Sequence, residues 1–266
     1  NANAVVALLK ASVVLERPEL CDQALATLDF LMHSMWDERE GMHHYWDGTY
    51  NLRGMLTDQA TTLRALLEAV HYAGDNRYLV HALRLADLTI EHLQAPDGSF
   101  FDTRHDPRAR GGLRERDTSI LDNAVMAESL LRLGYMTRND EWIDKGREVL
   151  SAFLGDYKRY GHHVASYGRA VDLVVHAPVH VTVVGPRDAD RTRALRLAAL
   201  KPYVASRIVQ TVDPERDREL LERTGLPTPA PEAVARAYVD RGQESYAETS
   251  KAERLAALMA RTERSN

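Results

Sequence analysis

Residues 59–93, QATTLRALLEAVHYAGDNRYLVHALRLADLTIEHL, carry the clearest fold signal in the chain. The apolar residues of this stretch recur at helical spacing on both sides of the short polar turn Gly74-Asp75-Asn76, which predicts a helical hairpin. Glycine at position 74 is typical of a helix end. The first helix, which contains the pair Leu66-Leu67, carries few charges, so we expect it to be the more buried of the two.

The same helical hairpin occurs three times along the chain. The predicted pairs of helices are 1–15 with 17–35, 59–74 with 76–93, and 123–137 with 140–154. A repeat of helix, short turn, helix and long loop with a period of about 60 residues is longer than common solenoid repeats. It is expected in hairpins that close into a toroid, with the apolar first helices as the inner ring. Three hairpins do not close a ring, so we expect a mainly α fold with a partial α/α toroid over residues 1–176. A plain helical array without a ring is the alternative.

A seventh helix is predicted near 164–175, and the pattern then changes to a small α/β appendage over residues 177–249. Three segments rich in β-branched residues are predicted strands, HVTVVG (180–185), YVASRIVQTV (203–212) and AVARAYVDRG (233–242). With a helix predicted over 187–200, the first two form a βαβ unit with parallel strands. A C-terminal helix and tail are expected over 250–266. Gly185-Pro186-Arg187 lacks the Gly-rich fingerprint of a dinucleotide site, so none is expected.

Composition excludes several classes of protein. A net charge of −5 over 266 residues, with 44% hydrophobic and 27% charged residues, is typical of a globular protein without a basic field for nucleic acid. No apolar run has the length of a membrane span, and no signal peptide is present, so no membrane partner is expected either. The single cysteine, Cys21, excludes an internal disulfide and a cysteine-based metal cluster and favours a reducing cytoplasm. The start at Asn1, without methionine, indicates a piece cut from a longer protein.

A polar amide recurs at the start of each inner helix. Asn1, Gln59 and Asn123 each stand seven residues before a Leu-Leu pair, and Asp58 and Asp122 directly precede the last two amides. Because the starts of the inner helices of a toroid point at one shared mouth, we expect these groups to line a common pocket. The alternative is that the two aspartates only cap their helices, by accepting hydrogen bonds from free N–H groups.

The long loops predicted over 36–57 and 94–121 supply further groups to this mouth. The first contains GMHHYWDGTY, residues 41–50, whose aromatic rings can stack on a sugar while carboxylates act as acid and base, so a small carbohydrate ligand is expected. Packing between hairpins is the alternative role of the aromatic residues. The candidate residues are Asp58 and Asp122 as catalytic groups, Asn123, Gln59, His43, His44, Tyr45, Trp46 and Asp47 as substrate-binding groups, and Asp117 as a further carboxylate. No metal or other cofactor is expected, since no partner ligands for the two histidines are identifiable.

The order of these pieces resembles the C-terminal part of the thioredoxin-domain-containing proteins of the DUF255 (YyaL-like) family. The matching stretches are GMLTDQATTLRALLEAVHYAGDNRYLVHALRLAD (54–87), DNAVMAESLLRLGYMTRNDEWIDKGREVL (122–150), APVHVTVVG (177–185) and AYVDRG (237–242). The resemblance implies an (α/α)6 toroid of the six-hairpin glycosidase type, and a thioredoxin-like domain as an intramolecular partner in the full-length protein. It also implies that Asp58 and Asn123 line the pocket.

The chain departs from the family pattern at two places near this pocket. Asp-Gln-Ala (58–60) stands where the family usually has Asp-Tyr-Ala, and Ile-Leu-Asp-Asn-Ala (120–124) where it usually has Pro-Ser-Gly-Asn-Ser. The thioredoxin-like half is not part of the chain, so redox function is not carried over. Two functions stay open. One is a carbohydrate-active enzyme, either a hydrolase or similar to a sugar 2-epimerase, and the other is a non-catalytic ligand-binding or scaffold domain that docks a thioredoxin-like domain.

Overall fold

A computed structural model describes residues 1–227, 235–241 and 246–264, and its first part consists of three helical hairpins and a further helix. The helices are α1 (Ala2–Val14), α2 (Pro18–Ser34), α3 (Leu56–Ala73), α4 (Arg77–Leu93), α5 (Ile120–Thr137), α6 (Asp140–Ser151) and α7 (Ala165–Val175). All three predicted hairpins are confirmed. Pro18 is at the first turn of α2, where its missing N–H is harmless, and Gly74 ends α3 with a left-handed φ of 72°.

The inner helices pack side by side in the order α1, α3, α5 and α7, and each of the first three also packs on the second helix of its own hairpin. Helices α3 and α5 have buried residues all round, whereas α4 and α6 bury one face. This agrees with the predicted inner and outer layers for the second and third hairpins, whereas the inner helix α1 buries only one face. The two helices of hairpin α5–α6 approach each other closely at Gly146, where an added methyl group would lie 2.7 Å from Cγ of Leu131.

Segment 36–57 differs from the predicted loop, because it forms a three-stranded antiparallel sheet. Its strands are β1 (Trp36–Asp37), β2 (Gly41–Trp46) and β3 (Tyr50–Arg53), in the order β1-β2-β3. The turn between β2 and β3 contains Gly48 with a φ of 110°. Strand β2 is buried at its start and exposed at its end, so it lacks the regular alternation by which a strand is recognised in sequence.

The appendage is a four-stranded sheet in the order β5-β4-β6-β7. Its elements are β4 (Val179–Val184), α8 (Asp190–Leu200), β5 (Arg207–Val212), α9 (Arg218–Thr224), β6 (Arg236–Asp240), β7 (Ala247–Thr249) and α10 (Ala252–Arg264). Strands β4 and β5 are parallel and joined through α8, which confirms the predicted βαβ unit, while β6 and β7 add antiparallel strands. Neither β7 nor α9 was predicted. Residues 233–234 and 242 of the predicted third strand, and 265–266 of the tail, lie outside the described residues.

The appendage packs on the C-terminal end of α3. His71 Nδ1 accepts a hydrogen bond from the N–H of Val209 at 2.9 Å, and Asn76 Nδ2 donates to the carbonyl oxygen of Thr211 at 2.7 Å. Ile208 belongs to the apolar core of the hairpins. The starts of the inner helices, where the candidate residues cluster, are therefore at the other end of the molecule from this contact. Among the described residues, no helix combines the length and apolar character needed to cross a bilayer.

Candidate functional site

A cavity of about 510 Å³ lies at the starts of α1 and α3, beside β2. Its lining residues are Asn1, Ala2 and Asn3 at the start of α1, Phe30, Leu31 and Met35 of hairpin α1–α2, Met42, His43, His44, Tyr45 and Trp46 of β2, and Thr57, Asp58, Thr61 and Thr62 of α3. Segments that are distant along the chain therefore meet at one opening.

The polar centre of this cavity is a pair formed by Asp58 of α3 and His44 of β2. The Nδ1 atom of His44 lies 3.0 Å from each carboxylate oxygen of Asp58. Burial raises the pKa of Asp58 above its ordinary value, and the negative charge of Asp122 acts in the same direction, whereas the hydrogen bond from His44 opposes both. A carboxyl group with a raised pKa beside an imidazole, in a cavity, is an arrangement suited to general acid–base catalysis.

The two aspartates are not the N-caps of their helices. The N-cap of α3 is Met55, and the N-cap of α5 is Ser119, whose Oγ accepts from the N–H of Asp122 at 3.4 Å. The alternative in which Asp58 and Asp122 serve only as N-caps is therefore wrong. Asp122 does not line the cavity, although it lies close enough to Asp58 to act on its pKa.

Aromatic side chains form the rim of the cavity. Trp46 is 62% exposed and Tyr45 44% exposed, and both line the opening together with Phe30, which is 61% exposed. His43 stacks on Tyr50 with the ring centroids 4.8 Å apart, which orients this part of β2. Tyr45 and Trp46 leave much of their surface uncovered, so packing between hairpins does not account for them.

Two of the predicted substrate-binding residues form hydrogen bonds with backbone groups instead of facing the cavity. Gln59 Oε1 accepts from the N–H of Met42 at 2.8 Å and its Nε2 donates to the carbonyl of Met42 at 3.0 Å. Asn123 does the same with Phe100, accepting at 2.7 Å and donating at 2.9 Å. Both amides are buried, and neither lines the cavity. At positions 59 and 123 the recurring amide is thus an amide clasp, which ties the segment before α3 or α5 to that helix, whereas Asn1 is exposed and lines the cavity.

The remaining predicted carboxylates lie outside the cavity lining. Asp47 Oδ1 accepts from Asn51 Nδ2 at 2.8 Å and so closes the turn between β2 and β3. Asp117 Oδ1 accepts from the N–H of Thr118 at 2.8 Å. Within the described residues, no group of three or more His, Cys, Asp or Glu side chains is arranged to hold a metal ion.

The cavity also contains groups that the sequence reasoning did not select. Thr61 lies three residues after Asp58 and therefore on the same face of α3, so helical periodicity was a usable signal for it. Phe30 belongs to the second helix of its hairpin, and nothing in the sequence indicated that it reaches the opening.

The comparisons with known proteins cover part of the chain. No protein-family model matches it. Spermatogenesis-associated protein 20 of Homo sapiens is 28% identical over 166 residues, which are 60% of this chain and 21% of that protein. The same protein of Mus musculus is 27% identical over 165 residues, again 60% of this chain and 21% of the relative. The chain therefore corresponds to about a fifth of the length of the curated relatives it matches.

Solved structures of two glycoside hydrolases from Bacteroides thetaiotaomicron share the fold of this chain. A family 76 glycoside hydrolase from a bovine strain has a TM-score of 0.52 and 16% identity, covering 59% of this chain and 34% of that chain. A family 76 glycoside hydrolase described as a mannosidase has a TM-score of 0.54 and 13% identity, covering 99% of this chain and 69% of that chain. The chain therefore has a mainly α fold with a partial α/α toroid of the six-hairpin glycosidase type, and its relatives confirm the resemblance to the C-terminal region of the DUF255 (YyaL-like) thioredoxin-domain-containing proteins.

Proposed function

We propose that the cavity at the starts of α1 and α3 binds a small carbohydrate, and that Asp58 with His44 is the acid–base group of a sugar-converting reaction. The observation that carries this proposal is the Asp58–His44 pair inside a cavity rimmed by exposed Tyr45 and Trp46. The pair supplies a proton donor and a proton acceptor, and the aromatic faces supply the apolar surface on which a sugar ring stacks.

Proton transfer of the kind used by a sugar epimerase fits the lining better than hydrolysis. Glycoside hydrolysis uses two carboxyl groups separated by about 5–10 Å across the substrate. Among the described lining residues Asp58 is the carboxylate, and two imidazoles of β2, His44 in contact with it and His43, line the same cavity. Hydrolysis is the second candidate, favoured by the influence of Asp122 on Asp58.

A non-catalytic binding or scaffold domain is the alternative from another class. The exposed aromatic rim, which includes Phe30 and Trp46, is also a surface on which a protein partner could dock. The resemblance to the thioredoxin-domain-containing proteins makes a thioredoxin-like domain of the full-length protein the intramolecular partner in this proposal. The cytoplasm is the proposed compartment, on the ground of the single cysteine, Cys21.

Calorimetric titration and product analysis by NMR test the proposal together. The first sugars are mannose-containing mono- and oligosaccharides, because a solved structure with this fold is described as a mannosidase. The wild type, Asp58→Asn and a control, Asp144→Asn, are compared, since Asp144 is an exposed carboxylate on α6 paired with Arg147. We expect saturable binding and turnover by the wild type and the control, with turnover lowered at least about 100-fold in Asp58→Asn.

The outcomes separate the candidates. An epimer as product supports proton transfer. Cleavage of a glycoside by the wild type that is lost in Asp122→Asn as well as in Asp58→Asn supports hydrolysis. Binding without turnover of any sugar favours the non-catalytic alternative. If no sugar binds, or if Asp58→Asn turns over its substrate as the wild type does, the proposal is wrong.

A further inference from the structure

A second cavity, of about 300 Å³, is lined by the inner helices farther from their starts and by the segment 203–207 of the appendage. We call it the basic cavity. Its charged lining residues are Lys10 of α1, Arg64 and Glu68 of α3, Glu128 and Arg132 of α5, Arg169 of α7 and Arg207 of β5. It shares no lining residue with the cavity that contains Asp58.

The charges of the basic cavity follow the hairpin repeat. Lys10, Glu68 and Arg132 each stand nine residues after the recurring amide of their own inner helix, so they form a row across α1, α3 and α5. Lys10 Nζ lies 3.8 Å from Glu68 Oε1, and Arg132 Nη2 lies 3.6 Å from Glu68 Oε2. One buried carboxylate is therefore shared between two cations, and neither distance is short enough for a good hydrogen bond.

Several guanidinium donors in this cavity are buried without an acceptor. Within the described residues, Nε of Arg64 and both Nε and Nη2 of Arg132 have no hydrogen-bond partner. The side chain of Arg132 is only 13% exposed. Buried donors of a charged group are costly to leave unsatisfied, and such atoms indicate a place for a water, an ion or a ligand.

Positive charge exceeds negative charge in the lining. Five basic side chains face two carboxylates there. Glu128 is held by Arg169 through hydrogen bonds from Nε at 3.1 Å and Nη2 at 2.5 Å, whereas Arg64 forms no ion pair among the described residues. Burial lowers the pKa of His71 well below its ordinary value, and the charges of Arg132 and Arg207 act in the same direction, so His71 is neutral and does not add to the excess.

We propose that the basic cavity binds a phosphate group, either free phosphate or the phosphomonoester of a small metabolite, with Arg64 and Arg132 as its main ligands. The planar guanidinium fork matches two oxygens of a phosphate, and a dianion offsets most of the excess charge. The volume is at the lower end of the range for small-molecule sites, which suits a compact ligand. Tyr72, Tyr203 and Ser206 are further lining residues, and a hydroxyl group is able to donate a hydrogen bond to a phosphate oxygen.

Titration calorimetry of the chain with inorganic phosphate and with glucose 6-phosphate tests this proposal, against sodium chloride at matched ionic strength. Arg132→Gln and Arg64→Gln are the test variants. Arg147→Gln is the matched control, because Arg147 is a half-exposed arginine on α6 paired with Asp144. We expect saturable binding by the wild type and the control, and an affinity at least about tenfold weaker in each test variant. A tighter complex with glucose 6-phosphate than with phosphate identifies a phosphomonoester as the ligand, and the reverse order identifies free phosphate.

No binding above the chloride reference, or equal affinities in the wild type and both test variants, overturns the proposal and leaves the cluster a purely structural role. Circular dichroism checks that the variants fold. Arg64→Gln is less prone to misfold than Arg132→Gln, because it leaves both ion pairs of Glu68 intact. Asp58→Asn is expected to bind phosphate as the wild type does. Failure of sugar binding and failure of phosphate binding are therefore distinguishable.

Discussion

Replacing Asn123 with alanine removes an amide clasp and is expected to lower the free energy of unfolding by about 2–6 kcal/mol. Oδ1 of Asn123 accepts from the N–H of Phe100 at 2.7 Å, and its Nδ2 donates to the carbonyls of Phe100 and Ser119, each at 2.9 Å. Asn123 and Phe100 are both fully buried, so water cannot replace the lost partner. Two backbone groups of Phe100 are left unsatisfied, and each costs about 1–3 kcal/mol, which gives the range.

Urea unfolding followed by circular dichroism measures this loss. Gln23→Ala is the control, since Gln23 is exposed on α2 and its replacement should change the free energy of unfolding by less than about 0.5 kcal/mol. Gln59→Ala should resemble Asn123→Ala, because Gln59 holds Met42 in the same way. A loss below about 1 kcal/mol in Asn123→Ala would refute the clasp and return this amide to the set of ligand-binding candidates.

Three further predictions concern pH, packing and the aromatic rim. His180 is buried in β4, and burial together with the charge of Arg138 lowers its pKa from 6.5 to about 4. Between pH 6.5 and pH 4 the unfolded chain therefore binds a proton on His180 that the folded chain does not bind. As a result, about 3 kcal/mol of the free energy of unfolding that is present above pH 6.5 is lost as the pH falls towards 4. Urea titrations at pH 7 and pH 4.5 should show weaker acid sensitivity in His180→Gln, and equal sensitivity would contradict the assignment. Gly146→Val forces methyl groups onto Leu131 and should destabilise the fold by about 1–3 kcal/mol, seen as a lower Tm in calorimetry; an unchanged Tm would show that the α5–α6 contact is loose. Trp46→Ala should change the free energy of unfolding by less than about 0.5 kcal/mol while abolishing sugar binding, whereas a marked drop in thermal stability would assign the ring a packing role.

The helical layers were predictable because their signals are local and periodic. Apolar residues at helical spacing, a turn with Gly74 and the proline at position 18 predict the hairpins directly, and the structure confirms them. Strand β2 was not predicted, because GMHHYW carries large polar and aromatic side chains without regular alternation. Its partner β3 follows directly after the turn Asp47-Gly48-Thr49, so the Asp-Gly dipeptide was a usable local signal for this hairpin.

The candidate site was predictable in position but only partly in composition. The structure brings Asp58 together with His44 and Trp46 in one cavity, because the inner-helix starts and β2 converge there. The spacing of Gln59 and Asn123 marked them as equivalent, but spacing alone does not tell whether an amide faces a cavity or a backbone group. The basic cavity was not predicted for a related reason. Lys10, Glu68 and Arg132 keep the repeat register but differ in the sign of their charge, so the hairpin repeat does not mark them as one set.

A crystal structure of the chain with the sugar that binds most tightly is the decisive measurement of ligand binding at the Asp58–His44 pair. We expect an ordered sugar in the 510 Å³ cavity, with a hydroxyl or carbonyl oxygen within hydrogen-bond distance of the pair and a ring face on Trp46. A sugar bound elsewhere on the molecule, with Asp58 and His44 in contact only with each other, would contradict this expectation.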